Sequence, residues 1–265
     1  METQHGFAEI NGTSLYYEVN GSGRPLVFIH GATGDVRHWD DQFEIFAQHY
    51  QVIRYDQRGF GKSAVPTAES YAHTDDLKAL LEHLGIEHAR ILGLSGGGGV
   101  AINFALSYPE ATDALIPVDS VLGGYQWQEF GASMVSVVSA ARGSGIDAAR
   151  ELWLGLSLFA PAMEKPEVAS HFTQIVSDYS GWHWVNQNPA RTLDPPAIQR
   201  LDEISAPTLV IIGERDLSDF HAIADTLQQQ IPGAKKVILT GVGHLSNMED
   251  PKKFNEVVLD FLASI

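Results

Sequence analysis

Ser95, Asp216 and His244 occur along the chain in the order nucleophile, acid, base. A serine hydroxyl attacks poorly at neutral pH unless a base takes its proton, and histidine has the right pKa for that task. A carboxylate behind the imidazole would hold its tautomer and stabilise the imidazolium. Ser95 lies in Gly93-Leu94-Ser95-Gly96-Gly97, a G-x-S-x-G pattern. The pattern is weak alone, but here the apolar run ARILGL precedes the serine and GGGVAINFAL follows it. A strand–turn–helix context would hold the hydroxyl exposed at the C-terminal edge of a sheet. Four glycines, Gly96 to Gly99, open that helix, each costing up to about 1 kcal/mol relative to alanine. A purely structural helix disfavours that composition, whereas a site needing close backbone approach uses it. The rival reading is a phosphate-binding loop. It fails because neither G-x-G-x-x-G after a first strand nor a terminal G-K-[ST] is present here. Gly61-Lys62-Ser63 looks like a Walker tail, but Asp56 stands where the earlier glycine is needed.

Among eleven histidines, His244 stands out in Thr240-Gly241-Val242-Gly243-His244, a glycine-bracketed loop after the last apolar strand. Sites in α/β sheets collect in such loops. His30 ends another strand and is followed by Gly31, while His83 and His88 belong to a helix exit. Asp216, in Gly213-Glu214-Arg215-Asp216 after PTLVII, fits the acid; Asp219 and Asp119 (after LIPV) are the alternatives. No H-E-x-x-H occurs, and His83–His88 (HLGIEH) is one residue too long for H-x-x-E-H. The absence of cysteine excludes disulfides, a cysteine nucleophile and thiolate-bound metals.

The elements that must position these residues follow from apolar patterning. Phe7–Ile10 and Ser14–Val19 flank Asn11-Gly12, which predicts an opening hairpin. Buried strands are expected at 25–29, 51–55, 90–94, 115–118, 207–212 and 236–239. Helices are expected at 39–49, 69–84, 96–108, 220–230 and 251–262. Alternating strands and helices imply a parallel sheet with right-handed crossovers. The alternation stops in a proline-broken, helix-like segment that holds four of the five tryptophans. We read 1–122 with 196–265 as the core and 123–195 as a helical cap over one edge of the sheet. The other reading of that segment is a few extra core helices. Trp39, Trp127, Trp153, Trp182 and Trp184 are candidate contacts for an apolar or aromatic substrate, although buried tryptophans commonly only pack. The net charge of −16 disfavours nucleic acid and anionic membrane surfaces. No run reaches the length of a membrane span and no signal-like N-terminus is seen, so a cytoplasmic protein is expected.

In sum these residues resemble the α/β-hydrolase superfamily over nearly the whole chain. The resemblance is carried by His30-Gly31, Trp39, Asp56-x-Arg58-Gly59-x-Gly61-x-Ser63, the Ser95 turn, Gly213-x-x-Asp216 and Gly243-His244. It implies an α/β fold with an eight-stranded, mostly parallel sheet, helices on both faces and a helical cap after the sixth strand. It also implies that the backbone N–H groups of Ala32 and Gly96 hold an oxyanion, and that His30-Gly31 and 56–63 shape the site. Haloalkane dehalogenases and epoxide hydrolases of this fold carry aspartate where this chain has Ser95. Gly96 departs from the Met or Leu that often follows the serine and leaves more room there. The implied activity is hydrolysis of a small ester with neither cofactor nor metal. Enol-lactone or acyl-homoserine-lactone hydrolysis, carbon–carbon hydrolysis and perhydrolysis share the same three residues. A ligand receptor signalling through a moving cap is a different class, and the chain offers no recognisable segment for its protein partner.

Overall fold

Asn11 and Gly12 have φ of 47° and 67°, the pair of positive values that a type I′ hairpin requires. They join β1 (Gln4–Ile10) antiparallel to β2 (Thr13–Asn20). The computed structural model describes residues 2–265. Six further strands follow: β3 (Pro25–Ile29), β4 (Gln51–Tyr55), β5 (Ala89–Leu94), β6 (Thr112–Val118), β7 (Leu209–Gly213) and β8 (Lys235–Leu239). The sheet order is β1-β2-β4-β3-β5-β6-β7-β8, with β2 antiparallel to β4 and every later pairing parallel. This is the α/β arrangement that the resemblance implied. β5 and β7 are buried at every residue and β3 at all but its first, because helices cover both faces.

The helices of the alternating part are α1 (Asp40–Phe46), α2 (His73–His83) and α3 (Gly96–Ser107). Between β6 and β7 the chain forms α4 (Phe130–Ser144), α5 (Ile146–Leu154), α6 (Ala160–Met163), α7 (Pro166–Asp178) and α8 (Trp182–Val185). It then closes with α9 (Ser218–Gln230), α10 (Ser246–Glu249) and α11 (Pro251–Ala263). Two helices begin later than the pattern predicts. Residues 69–72 are not helical, because Tyr71 bridges to Ala190 and its carbonyl accepts from Arg191 N–H at 2.7 Å. A 3₁₀ turn, Val36–Trp39, precedes α1, and the Asp35 side chain caps it. No helix of the described residues is long and apolar enough to cross a membrane.

Candidate active site

Ser95 has φ 54° and ψ −116°, a left-handed conformation that costs a non-glycine residue energy and is typical of constrained sites. The turn is fixed by its own backbone. Ser95 N–H donates to the Val118 carbonyl at 2.8 Å, and the Ser95 carbonyl accepts from Gly99 and Val121 N–H at 3.2 and 3.1 Å. Close approach explains two of the surrounding glycines. A Cβ on Gly97 would run into the Ile29 and His30 carbonyls at the end of β3, and one on Gly93 into the Gly97 carbonyl. The sharp strand-to-helix turn therefore requires glycine on either side of the serine.

His244 leaves the loop after β8 and is 2% exposed. Its Nδ1 lies 2.8 Å from Asp216 Oδ2, and the Asp216 side chain is fully shielded from solvent. The other Asp216 oxygen accepts from Leu217 N–H at 2.7 Å, which orients the carboxylate. The His244 loop is clamped by a residue that sequence patterns missed. Glu249 accepts from Gly243 N–H at 2.7 Å and from Leu245 N–H at 3.1 Å, the amides flanking His244. Burial raises the Glu249 carboxyl pKa, and these two amides oppose the rise. The Phe220 ring packs 4.4 Å from the imidazole, centre to centre.

The two rival acids do other work. Asp219 accepts from the N–H groups of Gln128, Glu129 and Phe130 at 3.0, 2.9 and 3.0 Å, so it caps the start of α4. Burial opposes its ionisation, but these amides prevail and hold its carboxyl below the usual range. Asp119 is fully buried at the end of β6, with φ 42°. Its two oxygens accept from Gly213 N–H at 2.7 Å and from the Ser246 hydroxyl at 2.6 Å. Burial first, and then the Asp216 charge, raise its pKa well above the ordinary carboxylate value. Oxygens of Asp119 and Asp216 and a nitrogen of His244 come within 4.8 Å of one another. Every carboxylate oxygen of that group already accepts a hydrogen bond, so the cluster is a self-satisfied network.

Ala32 follows β3 and Gly96 opens α3, so the Gly96 N–H has no acceptor within its own helix. A Cβ on Gly96 would lie 3.6 Å from Ala32 N, and one on Gly31 would lie 3.2 Å from Ser95 Cβ. These two amides therefore stand beside the serine. His30 holds the corner: its Nε2 accepts from Gln57 N–H at 3.0 Å, and its Nδ1 lies 2.8 Å from the Gly31 carbonyl. The 56–63 loop is built around buried charge. Asp56 accepts from Val36 and Lys62 N–H at 2.8 and 2.7 Å, and Arg58 pairs with Asp76 at 2.5 Å.

A cavity of only about 10 Å³ joins Ser95 to His244, walled by Gly31, Ala32, His38, Leu94, Trp153, Phe159, Phe172 and Leu245. Of the five tryptophans, Trp153 alone lines it. Trp39 is fully buried, stacked on Phe28 at 5.0 Å and against Phe254 at 6.3 Å, because α11 covers that face. Trp127 packs on Tyr125, Phe130 and Phe220, and Trp184 on Trp153 and Tyr179. Trp182 is half-buried against His183. A larger groove of about 690 Å³ runs past Asp40, Glu164, Glu167 and His171 and does not reach Ser95.

Comparison with known proteins identifies the fold family. A protein named "Putative carbamate hydrolase RutD" from Escherichia coli is 27% identical over 255 residues, covering 91% of each chain. The solved enol-lactonase of Burkholderia xenovorans LB400 is similar over 97% of this chain and 100% of its own, with 27% identity and a TM-score of 0.85. A thermophilic esterase of Thermogutta terrifontis is similar over 98% of both chains, with 27% identity and a TM-score of 0.84. The model of the alpha/beta hydrolase fold family matches residues 24–251, so the chain belongs to the α/β-hydrolase family.

Proposed function

We propose that this chain hydrolyses a carboxylic ester of a small, largely apolar substrate through an acyl-enzyme formed on Ser95. One observation carries the reading: the strained Ser95 turn opens into the same cavity as His244, whose far nitrogen is held by Asp216 at 2.8 Å. Ser95 Oγ attacks the carbonyl carbon while His244 Nε2 takes its proton. Asp216 keeps Nδ1 protonated and stabilises the imidazolium. The Ala32 and Gly96 N–H groups hold the oxyanion, each donor contributing about 10²–10³ in rate. His244 returns its proton to the departing alcohol, then activates the water that releases the acid. Segment 123–195 acts as the cap. Its Trp153, Phe159 and Phe172 close a space that holds about one water molecule, so substrate enters when they move aside.

A lactone is the second reading, since the same steps open a cyclic ester. It is favoured by the likeness to an enol-lactonase at 27% identity over nearly the whole of both chains. Kinetics on p-nitrophenyl esters of increasing acyl length, run beside simple lactones, separates the two. Ser95→Ala must abolish turnover of whichever is cleaved; more than trace activity in that variant overturns the assignment.

A further inference from the structure

Apolar side chains make up most of the wall around Ser95, and two polar groups interrupt it. His38 is 2% exposed, and neither of its ring nitrogens has a hydrogen-bond partner among the described residues. Trp153 is also 2% exposed, and its indole N–H is likewise unpartnered. Other unpartnered buried atoms are scattered through the fold, but these three nitrogens belong to residues that share one cavity with the serine. Buried polar groups are nearly always paired, so three together require an explanation.

His38 is held firmly. A Cβ on Gly34 would collide with its ring, Phe172 packs 6.0 Å away, and its carbonyl accepts from Asn247 Nδ2 at 2.7 Å. Burial, aided by the neighbouring His30, pushes the imidazole pKa down to about 3. At neutral pH the ring is therefore uncharged, with one N–H donor and one acceptor nitrogen.

We propose that His38 and Trp153 form a subsite for a second oxygen on the substrate, a keto, hydroxyl or amide oxygen carried by the acyl portion beside the carbonyl that Ser95 attacks. His38 lines the same cavity as Ala32. No lysine or arginine lines the cavity. A carboxylate there would lose its hydration for neutral donors alone, whereas a keto oxygen accepts from N–H donors without burying charge, and a hydroxyl can also donate to the acceptor nitrogen of His38. A site built to hydrogen-bond a substrate oxygen rejects the analogue lacking it, because its own polar groups are then left unpaired. The inference rests on the ester-hydrolase reading above.

The test is the ratio of kcat/KM for p-nitrophenyl levulinate to that for p-nitrophenyl pentanoate. Comparing this ratio between variants cancels the intrinsic reactivity of the two esters. It should fall by about tenfold or more in His38→Phe and in Trp153→Phe, and recover in part in His38→Gln. Thermal melts confirm that each variant compared is folded. A ratio equal to wild type in both phenylalanine variants overturns the subsite. The second arm needs no turnover: ligand-observed NMR with levulinamide and pentanamide. Stronger levulinamide binding by wild type, lost in His38→Phe, supports the subsite even if no ester is cleaved, in which case only the ester reading fails. Equal binding of the two amides by wild type overturns the subsite.

Discussion

Two buried aspartates stand within reach of His244, and their amide variants should separate completely. Asp216 gives one oxygen to His244 Nδ1 at 2.8 Å and the other to Leu217 N–H at 2.7 Å. Asp216→Asn keeps the shape but can turn an N–H toward Nδ1. That favours the tautomer with the proton on Nε2, where it cannot accept from Ser95. Loss of the correct tautomer in a serine–histidine–acid site costs about 10⁴ in kcat, or roughly 5–6 kcal/mol of transition-state stabilisation. Asp119 has both oxygens committed to Gly213 N–H and the Ser246 hydroxyl. In Asp119→Asn the amide oxygen keeps the first contact, and the amide N–H can donate to a rotated hydroxyl. Its kcat should stay within about tenfold of wild type, since no interaction confined to the transition state is lost.

The Asp119 variant also carries a stability prediction. The folded pKa of Asp119 is raised above its ordinary value of 3.8. Its contribution to stability is thus present at low pH and lost as pH rises through the folded pKa. Asp119→Asn should therefore gain on wild type between pH 5 and pH 8. Steady-state hydrolysis of p-nitrophenyl butanoate and thermal melts at the two pH values measure both effects. An Asp119→Asn loss as deep as that of Asp216→Asn, or an Asp216→Asn variant within tenfold of wild type, would refute the assignment of roles.

Further outcomes follow from the packing and the charges. Trp39→Ala should cost about 3–5 kcal/mol in chemical unfolding, as truncation of a fully buried aromatic does, with KM of the folded fraction unchanged; a shifted KM would return Trp39 to the pocket. Glu249→Gln loses an acceptor for one of the amides flanking His244, and kcat should fall about tenfold through looser positioning of the base; an unchanged kcat would leave Glu249 a stability residue. Asp219→Ala strips the cap from three amides, costing about 1–2 kcal/mol and exposing 123–129 to proteolysis; equal cleavage in wild type would refute the anchor. The folded pKa of His38 is about 3 against 6.5 unfolded, so the stability its burial allows is intact above 6.5 and falls away on acidification. Between pH 7 and pH 5 wild type should lose about 2 kcal/mol more than His38→Phe in urea melts, and equal losses would mean that the ring is charged or hydrated.

The framework was legible because parallel strands buried on both faces leave continuous apolar runs, and β3, β5 and β7 are such runs. The order Ser95, Asp216, His244 was legible for a related reason: each residue ends or follows a strand, and parallel strands deliver their C-terminal ends to one edge. The chain favours Asp216 as the acid and leaves Asp119 and Asp219 as alternatives, which strand and motif patterns do not separate. Their separation depends on the turn each residue occupies, and Asp219, only three positions beyond Asp216, points to the α4 amides. Trp39 reads as a candidate substrate contact at the start of the first helix, but Phe254 covers it from far along the chain. Glu249 and His38 carry no motif at all. The first matters because α10 folds its carboxylate back under the His244 loop, and the second because Gly34 leaves room for its ring.

The insertion after β6 is attached unequally, and this bears on how so small a cavity admits a substrate. Where α4 begins, Asp219 binds three amides and the Tyr125 hydroxyl, and the Phe130 ring packs on Phe220 beneath them. A buried carboxylate satisfied by several N–H donors is a strong tie, because pulling it apart leaves charge and amides unpaired. On the α6–α7 side the links to the core include Arg215–Glu164 and Arg37–Asp178, at 2.6 and 2.8 Å, and both acids are largely exposed. Exposed pairs of this kind are screened by water and salt and contribute little. Lys165 Nζ also donates to the Glu249 carbonyl at 2.5 Å and His171 Nε2 lies 3.2 Å from the Arg37 carbonyl, while over the serine itself Phe159 and Phe172 make apolar contact with each other and with the His38 and His244 rings. On the proposed reading of 123–195 as a cap, an apolar substrate would replace those apolar contacts with its own, and the α6–α7 side rather than the start of α4 would give way.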